Sequence, residues 1–391
     1  MLNTAFSPWP SYSAEEIDAV SQVLASNKVN YWTGDLCRQF ERDFADYVGS
    51  RHAVALSNGT LALDAALKAL GIGPGDEVVV TPRTFIASAS TVVTAGAIPV
   101  FADVDLQTQN ISAETIARVL TPRTKAIIPV HLAGMPCDMD PIMDLAREHK
   151  LFVIEDCAQA HGATYKGRSV GTLGHIGAWS FCQDKIMTTG GEGGMVTTDD
   201  PDLWSSMWSY KDHGKSWEAV YERQHPPGPR LVHDSFGTNW RMLEMQAAIG
   251  LIQLGRMPEW SDRRTAIAQT IGAALSRHRV IRVPDVPNYA RHAYYRLYAF
   301  VQTEHLAPGW TRDRIIDEII SNGVPCMHGS QSEVYLEGAF EGTGWRPKDR
   351  LPVARALGET SLAFLVHPTL TDAEVEKTCE VLDSVLTAAG A

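Results

Sequence analysis

The sequence predicts an α/β protein, with a large domain on a mostly parallel sheet between helices, followed by a smaller α+β domain. Three observations predict it. From Ala53 onward, short apolar strands alternate with amphipathic helices, the pattern of parallel strands joined by helical crossovers. The strand cores "VVV", "AIIPV" and "LFVI" within "VVVTP", "TKAIIPVHL" and "LFVIED" are apolar without alternation, so both faces of the sheet need cover. After about residue 255 the alternation stops, and an aromatic-rich strand, "YYRLYAFV", follows a long helical stretch. Residues 1–255 are therefore expected to form an N-terminal arm and the large domain, and residues 256–391 a small C-terminal domain.

The elements follow in order. A Pro-rich arm, expected to pack on the rest of the chain or on a second subunit, precedes the helical periodicity of "AEEIDAVSQVLAS" (14–26). Residues 35–48 read as a second helix. "HAVALS" is a strand and "TLALDAALKAL" a helix; "GIGPGDE" turns into "VVVTP", and "FIASASTVVTAG" returns as a helix to the strand "IPVFADV". "TKAIIPVHL", the helix "MDPIMDLAREHK" and the strand "LFVIED" come next, and "GAWSFC" and "GGMVTTDD" complete the series. The helix "MLEMQAAIGLIQLGRM" closes the large domain, and a separate helix, "PEWSDRRTAIAQTIGAALSRH", opens the small one. "TRDRIIDEIISNG" and a last helix from about residue 371 finish the chain.

Composition narrows the function. With 34 basic and 46 acidic residues the net charge is −12, which argues against a general nucleic-acid or anionic-membrane binder. Six widely spaced cysteines form no C-x-x-C pair, so neither a metal site nor a disulfide framework is expected. The opening residues carry no basic, apolar leader pattern and no apolar run reaches spanning length; a cytoplasmic protein is expected.

Three motifs carry chemistry. In "LSNGTLAL" a strand ends, Gly59 permits a tight turn and Thr60 opens a helix; such a start serves as an ordinary N-cap or as a phosphate site. In "VIEDCAQAHGA", Glu155 and Asp156 end a buried strand, where Asp156 either caps the next helix or meets a ligand that repays its burial. Gln159 lies one turn on. "GAWSFCQDK" then brings Ser180 and, five residues later, Lys185. Alone, Lys185 reads as a solvated amine. Taken together, the phosphate-type helix start, the strand-end aspartate and the lysine are what pyridoxal phosphate needs: a grip on its phosphate, an anion for its pyridinium nitrogen, and an amine for its aldehyde.

With "SNGTLAL", "TPRTFIAS", "AGAIPVFADVD", "TPRTKAIIPVHLAG", "VIEDCAQAHGA", "SFCQDKIMTTGGEGGMV" and "FGTNWRMLEMQAAIGLIQL" in this order, the chain resembles the DegT/DnrJ/EryC1/StrS sugar aminotransferases over nearly its whole length. The resemblance implies a fold-type-I, aspartate-aminotransferase-like architecture with a seven-stranded sheet. It implies that Lys185 forms the imine with the cofactor, that Asp156 faces its ring nitrogen, and that Gln159 lies near its phenolic oxygen. Gly59, Thr60 and Ser180 match phosphate-binding positions and Phe85 an aromatic stacked on the ring. Asn239 matches a residue that reaches the neighbouring subunit's phosphate, which implies a homodimer with shared active sites. The implied reaction moves an amino group from L-glutamate, through the pyridoxamine form of the cofactor, to a nucleotide-linked keto-sugar.

The nucleotide's diphosphate calls for cations; Lys211, Lys215, Arg83, Arg230 and Arg241 are candidates, with His328 as a substrate contact or a surface histidine. "KIMTTGGEGG" carries one glycine more than many members, at 190–191. Alternatives are a 3-keto-sugar or cyclitol aminotransferase, a lyase-like dehydratase, which Lys185 speaks against, and a non-catalytic pyridoxal-phosphate-binding regulator. A nicotinamide oxidoreductase is rejected, because "SNGTLAL" offers one glycine where G-x-G-x-x-G is needed.

Overall fold

The computed structural model describes residues 5–390. Its large sheet has seven strands. From edge to edge they are His52–Leu56, Gly194–Thr198, Ile176–Ser180, Phe152–Asp156, Thr124–Ile128, Glu77–Val80 and Ile98–Phe101. Gly194–Thr198 runs antiparallel to both neighbours and the other pairs are parallel. The apolar runs are buried on both faces as expected: Val78, Val79 and Val80 are wholly inaccessible. Helices Gly59–Ala69 and Ala87–Thr94 cover one side, and Leu36–Val48 lies over the other with Phe40 and Phe44 against Trp179 and Phe181.

The small domain centres on four antiparallel strands in the order Ile281–Arg282, Leu297–Val301, Ser361–Phe364 and Cys326–Met327. Helices Arg312–Ser321 and Asp372–Ala389 pack on it.

One expectation needs correction. The two helices placed on either side of the Met257–Pro258 bond are a single helix, Glu244–Leu275. Pro258 lies inside it, and although proline removes one amide donor and usually breaks a helix, here packing on both sides outweighs that loss. The first half buries Ala247, Leu254 and Met257 in the large domain. The second half buries Ile267, Ile271 and Leu275 in the small one. The helix is thus a spine shared by the two hydrophobic clusters.

Candidate active site

The parallel strands deliver their carboxyl ends to one edge of the sheet, where ligands of such folds collect. After His52–Leu56 the chain turns at Asn58, whose side chain accepts from the Leu61 N–H at 3.0 Å and caps the helix Gly59–Ala69. The N–H groups of Gly59 and Thr60 belong to the first turn, which has no internal acceptors. Gly59 is required by proximity: a Cβ there would sit 2.5 Å from Ser180 Cβ and 2.9 Å from its Oγ. Helix start and strand end therefore form one cradle with a serine hydroxyl in it, suited to an anion.

The two acids ending Phe152–Asp156 have different tasks. Glu155 is fully buried, and its carboxylate accepts the N–H groups of Gly171 (2.9 Å), Leu173 (2.7 Å) and Gly174 (2.7 Å). His131 Nε2 lies 2.9 Å from Glu155 Oε2, and its Nδ1 accepts the Cys137 N–H, so a neutral ring protonated on Nε2 donates to Glu155. Burial opposes ionisation of Glu155, but these bonds hold its carboxyl below the usual range. Asp156 has fewer donors, Ser88 Oγ at 2.7 Å and the Ala158 N–H at 3.1 Å. Burial pushes its carboxyl up despite those bonds and the charge of Lys185. It is a carboxylate short of a cation.

Lys185 ends a tight turn, its N–H on the Cys182 carbonyl at 3.0 Å and its own carbonyl accepting Trp9 Nε1 at 2.8 Å. Its Nζ lies 3.6 Å from Asp184 Oδ1 and 5.2 Å from the centre of the Tyr295 ring. The Tyr295 hydroxyl donates to Asp184. The unusual glycine pair follows: Gly190 (φ 87°) and Gly191 (φ 126°) both occupy left-handed backbone, and a Cβ on Gly190 would meet Ile249 Cδ1 at 2.8 Å. Gly191 returns the chain to Gln183, whose N–H it accepts at 2.9 Å. The added glycine lets the loop fold back beneath Lys185 without strain.

Two adjoining cavities meet at this lysine. The first, about 500 Å³, runs from Gly59, Thr60 and Ser180 past Asp156 and Gln159 to Lys185 and Phe85. The second, about 480 Å³, lies between the domains, with Arg296, Tyr298 and Ser330 on its small-domain wall. Phe85, 67% exposed, lines both, so it is not a core residue; its ring is available to a planar ligand. Gln159 is anchored by accepting the Ala133 N–H at 2.7 Å. The first cavity fits pyridoxal phosphate: its lining brings together an uncovered helix start with a hydroxyl, an under-compensated carboxylate and an amine.

The predicted cations lie elsewhere. Lys211 is buried with Nζ 3.7 Å from the Tyr31 ring centre, and burial lowers its pKa against the pull of Glu41. Lys215 and Arg241 both bind Asp212, at 3.1 and 2.6 Å. Arg230 donates to the carbonyls of Ala219 and Val220, and Arg83 is buried with its Nε on Gln109. None of these cations lines either cavity: Lys215, Arg241 and Arg230 are held by carboxylate or carbonyl partners, while Lys211 Nζ and both Arg83 Nη atoms are buried without a hydrogen-bond partner among the described residues. His328 is exposed and faces Asp313 at 3.3 Å, outside the site. Asn239 is also exposed and absent from its own chain's cavities, on a segment that leaves Leu231 81% and Phe236 99% exposed. Sequence reasoning missed Arg296, Ser88, Tyr295 and Trp9. Ser88 stood within a quoted motif and Tyr295 and Arg296 within the quoted strand "YYRLYAFV", but these two and Trp9 reach the site only through tertiary packing.

The model of the DegT/DnrJ/EryC1/StrS aminotransferase family matches residues 10–383. The chain belongs to that family. It is a pyridoxal-phosphate-dependent aminotransferase of fold type I. Among solved structures, the aminotransferase from Psychrobacter cryohalolentis is 63% identical with a TM-score of 0.97, over 98% of this chain and 99% of that one. Among curated relatives, the GDP-perosamine synthase of Caulobacter vibrioides is 40% identical over 96% of this chain and 97% of its own. The dTDP-3-amino-3,4,6-trideoxy-alpha-D-glucose transaminase of Streptomyces venezuelae is 34% identical over 95% and 91%. Among the described residues, no helix of this aminotransferase is long and apolar enough to cross a membrane.

Proposed function

We propose that this aminotransferase converts a nucleotide-linked keto-sugar, with 4-keto-6-deoxy sugars as the first candidates, to its amino sugar with L-glutamate as donor. The product would serve surface-polysaccharide or antibiotic-sugar synthesis in the cytoplasm. The observation that carries the reading is the pair of cavities sharing Lys185: one suits the cofactor, and the other leaves room beside it for a bulky second substrate. Pyridoxal phosphate, when bound, supplies an aldehyde for imine exchange and a ring that takes up an electron pair.

In this reading Lys185 anchors the cofactor, Asp156 keeps its ring nitrogen protonated, and Gln159 faces its phenolic oxygen. Gly59, Thr60 and Ser180 hold the phosphate, Phe85 covers the ring, and Asn239 from a second copy of the chain completes the phosphate site. The exposed Leu231 and Phe236 beside Asn239 support a homodimer, since side chains so open on one segment are a surface awaiting cover. Lys185 Nζ, as a free amine, would take the donor's α-proton and, in the acceptor half-reaction, give a proton to the carbon that becomes the amino-bearing carbon of the sugar, at short range. Arg296 is partly exposed, has no carboxylate partner among the described residues and lies over the Tyr295 ring at 4.6 Å. It is the available cation for the donor's carboxylate or the sugar nucleotide's diphosphate.

The product name of the Streptomyces relative carries a 3-amino group, so a 3-keto sugar is the second acceptor to test. A screen of 3- and 4-keto sugar nucleotides with L-glutamate decides, read as 2-oxoglutarate release. Turnover confined to free amino acids and keto acids would overturn the sugar reading.

A further inference from the structure

The N-terminal arm has no part in the reaction as described, yet among the described residues it makes the one hydrogen bond to the Lys185 carbonyl. We propose that Trp9 is a positioning residue for Lys185: the arm ties the lysine's peptide to the small domain and so fixes the aim of Nζ. The inference rests on the reading that Lys185 carries the cofactor.

The arm is strung between two anchors. At its outer end Ser7 Oγ donates to Glu374 Oε2 at 3.0 Å, and Thr369 Oγ1 donates to the Pro8 carbonyl at 2.9 Å. Glu374 also caps the helix Asp372–Ala389, so this end belongs to the small domain. At its inner end Trp9 Nε1 donates to the Lys185 carbonyl, 176 residues along the chain, at 2.8 Å. The indole is held from three sides. Trp260 meets it edge-on at 5.1 Å, His367 stacks at 6.0 Å, and the buried Arg264 guanidinium lies 5.1 Å from its centre. Trp260 and Arg264 sit on the spine helix Glu244–Leu275, and His367 follows the small-domain strand Ser361–Phe364.

The consequence is mechanical. With the Lys185 N–H on Cys182 and its carbonyl on Trp9, both adjoining peptides are pinned. Nζ stands at the end of a long flexible side chain, so a small rotation of the backbone at its root becomes a large displacement at its tip. A displacement of about 1 Å costs on the order of 100-fold in rate. A contact that spans both domains also makes the aim of Nζ depend on how the small domain sits.

The test is Trp9→Phe in the cofactor-loaded enzyme, which keeps a six-membered ring beside Arg264 and removes the N–H donor together with the pyrrole half of the indole. One hydrogen bond's worth of positioning predicts kcat lower by about 5- to 10-fold with the donor KM within about twofold. Two readouts report position rather than folding. The pH midpoint of the cofactor–lysine absorbance should shift by at least about 0.3 units, and amide exchange across residues 183–188 should quicken. Thr369→Val, which loosens the arm without touching Lys185, should move both in the same direction by less. Wild-type values of kcat, midpoint and exchange in Trp9→Phe would overturn the proposal. So would a fall in activity that follows lost thermal stability while the midpoint stays fixed. Borohydride fixation of the cofactor on another lysine would instead defeat the assignment of Lys185 itself.

Discussion

Replacing Gly59 with alanine adds one methyl group where the structure has no space for it. The new Cβ would lie 2.5 Å from Ser180 Cβ, 2.9 Å from its Oγ and 3.0 Å from its Cα. Carbon–carbon contacts are comfortable from about 3.5 Å, so helix start and strand end must separate by about 1 Å. The strand cannot retreat, because Ile176–Ser180 lies inside the sheet between Phe152–Asp156 and Gly194–Thr198. The next strand is equally tight: a Cβ on Gly194 would stand 2.1 Å from the Asn58 carbonyl. The helix start must therefore move, and overpacking of this kind costs about 1–3 kcal/mol. If that strain falls on the phosphate cradle, cofactor affinity drops about 5- to 150-fold. Titration of the apo-enzyme with pyridoxal phosphate, followed by absorbance, measures it. Gly255→Ala is the control, since a Cβ there meets nothing within 4 Å; it should leave affinity unchanged and stability equal or higher. A Gly59→Ala enzyme that binds within about twofold of wild type, with an unchanged Tm, would refute the cradle.

Other expectations follow from the buried charges. Asp156→Asn keeps the shape that Ser88 and Ala158 hold but removes the anion, so kcat/KM should fall by about 100-fold or more, with Tm little changed and the loss visible in a single-turnover half-reaction. Glu155→Ala strands three N–H donors and His131, each costing about 1–3 kcal/mol when left buried and unsatisfied, and should lower stability by at least about 3 kcal/mol by denaturant unfolding. Because the Glu155 carboxyl is held below its ordinary value, its contribution is present at neutral pH and disappears as pH falls through the depressed value. His161 and His367 are buried, and burial pulls each ring down to about 3. Below about pH 6.5 the unfolded chain takes up protons that the native rings refuse, so stability should fall by about 1.4 kcal/mol per pH unit for each ring. His161→Phe should flatten the pH dependence of unfolding between pH 6 and 4; an unchanged slope would contradict the assignment.

Residues that act through local chemistry were legible in the sequence. A cap before a helix, an acid at a buried strand end and a lysine after the next strand keep their spacing whatever packs around them, and Gly59, Asp156, Ser180 and Lys185 line one cavity. The substrate cations were not legible. Lysine and arginine look alike in a sequence whether they face a ligand or an aspartate, and Asp212 engages two of the candidates. Arg296 was hidden in an aromatic strand, and its role depends on the small domain folding back over the sheet. The helix Glu244–Leu275 was divided in two because Pro258 is a strong local stop signal and its compensation is tertiary. The extra glycine, unexplained by spacing, acquires a reason only from the φ values at 190 and 191.

The central claim is that Lys185 is the amine that holds the cofactor. Reduction of the pyridoxal-phosphate-loaded enzyme with borohydride, followed by peptide mapping, tests it most directly. The account predicts a single fixed pyridoxyl group on the peptide containing Lys185, absent from a folded Lys185→Ala variant. A pyridoxyl group found on any other lysine, or retained in Lys185→Ala, would contradict it.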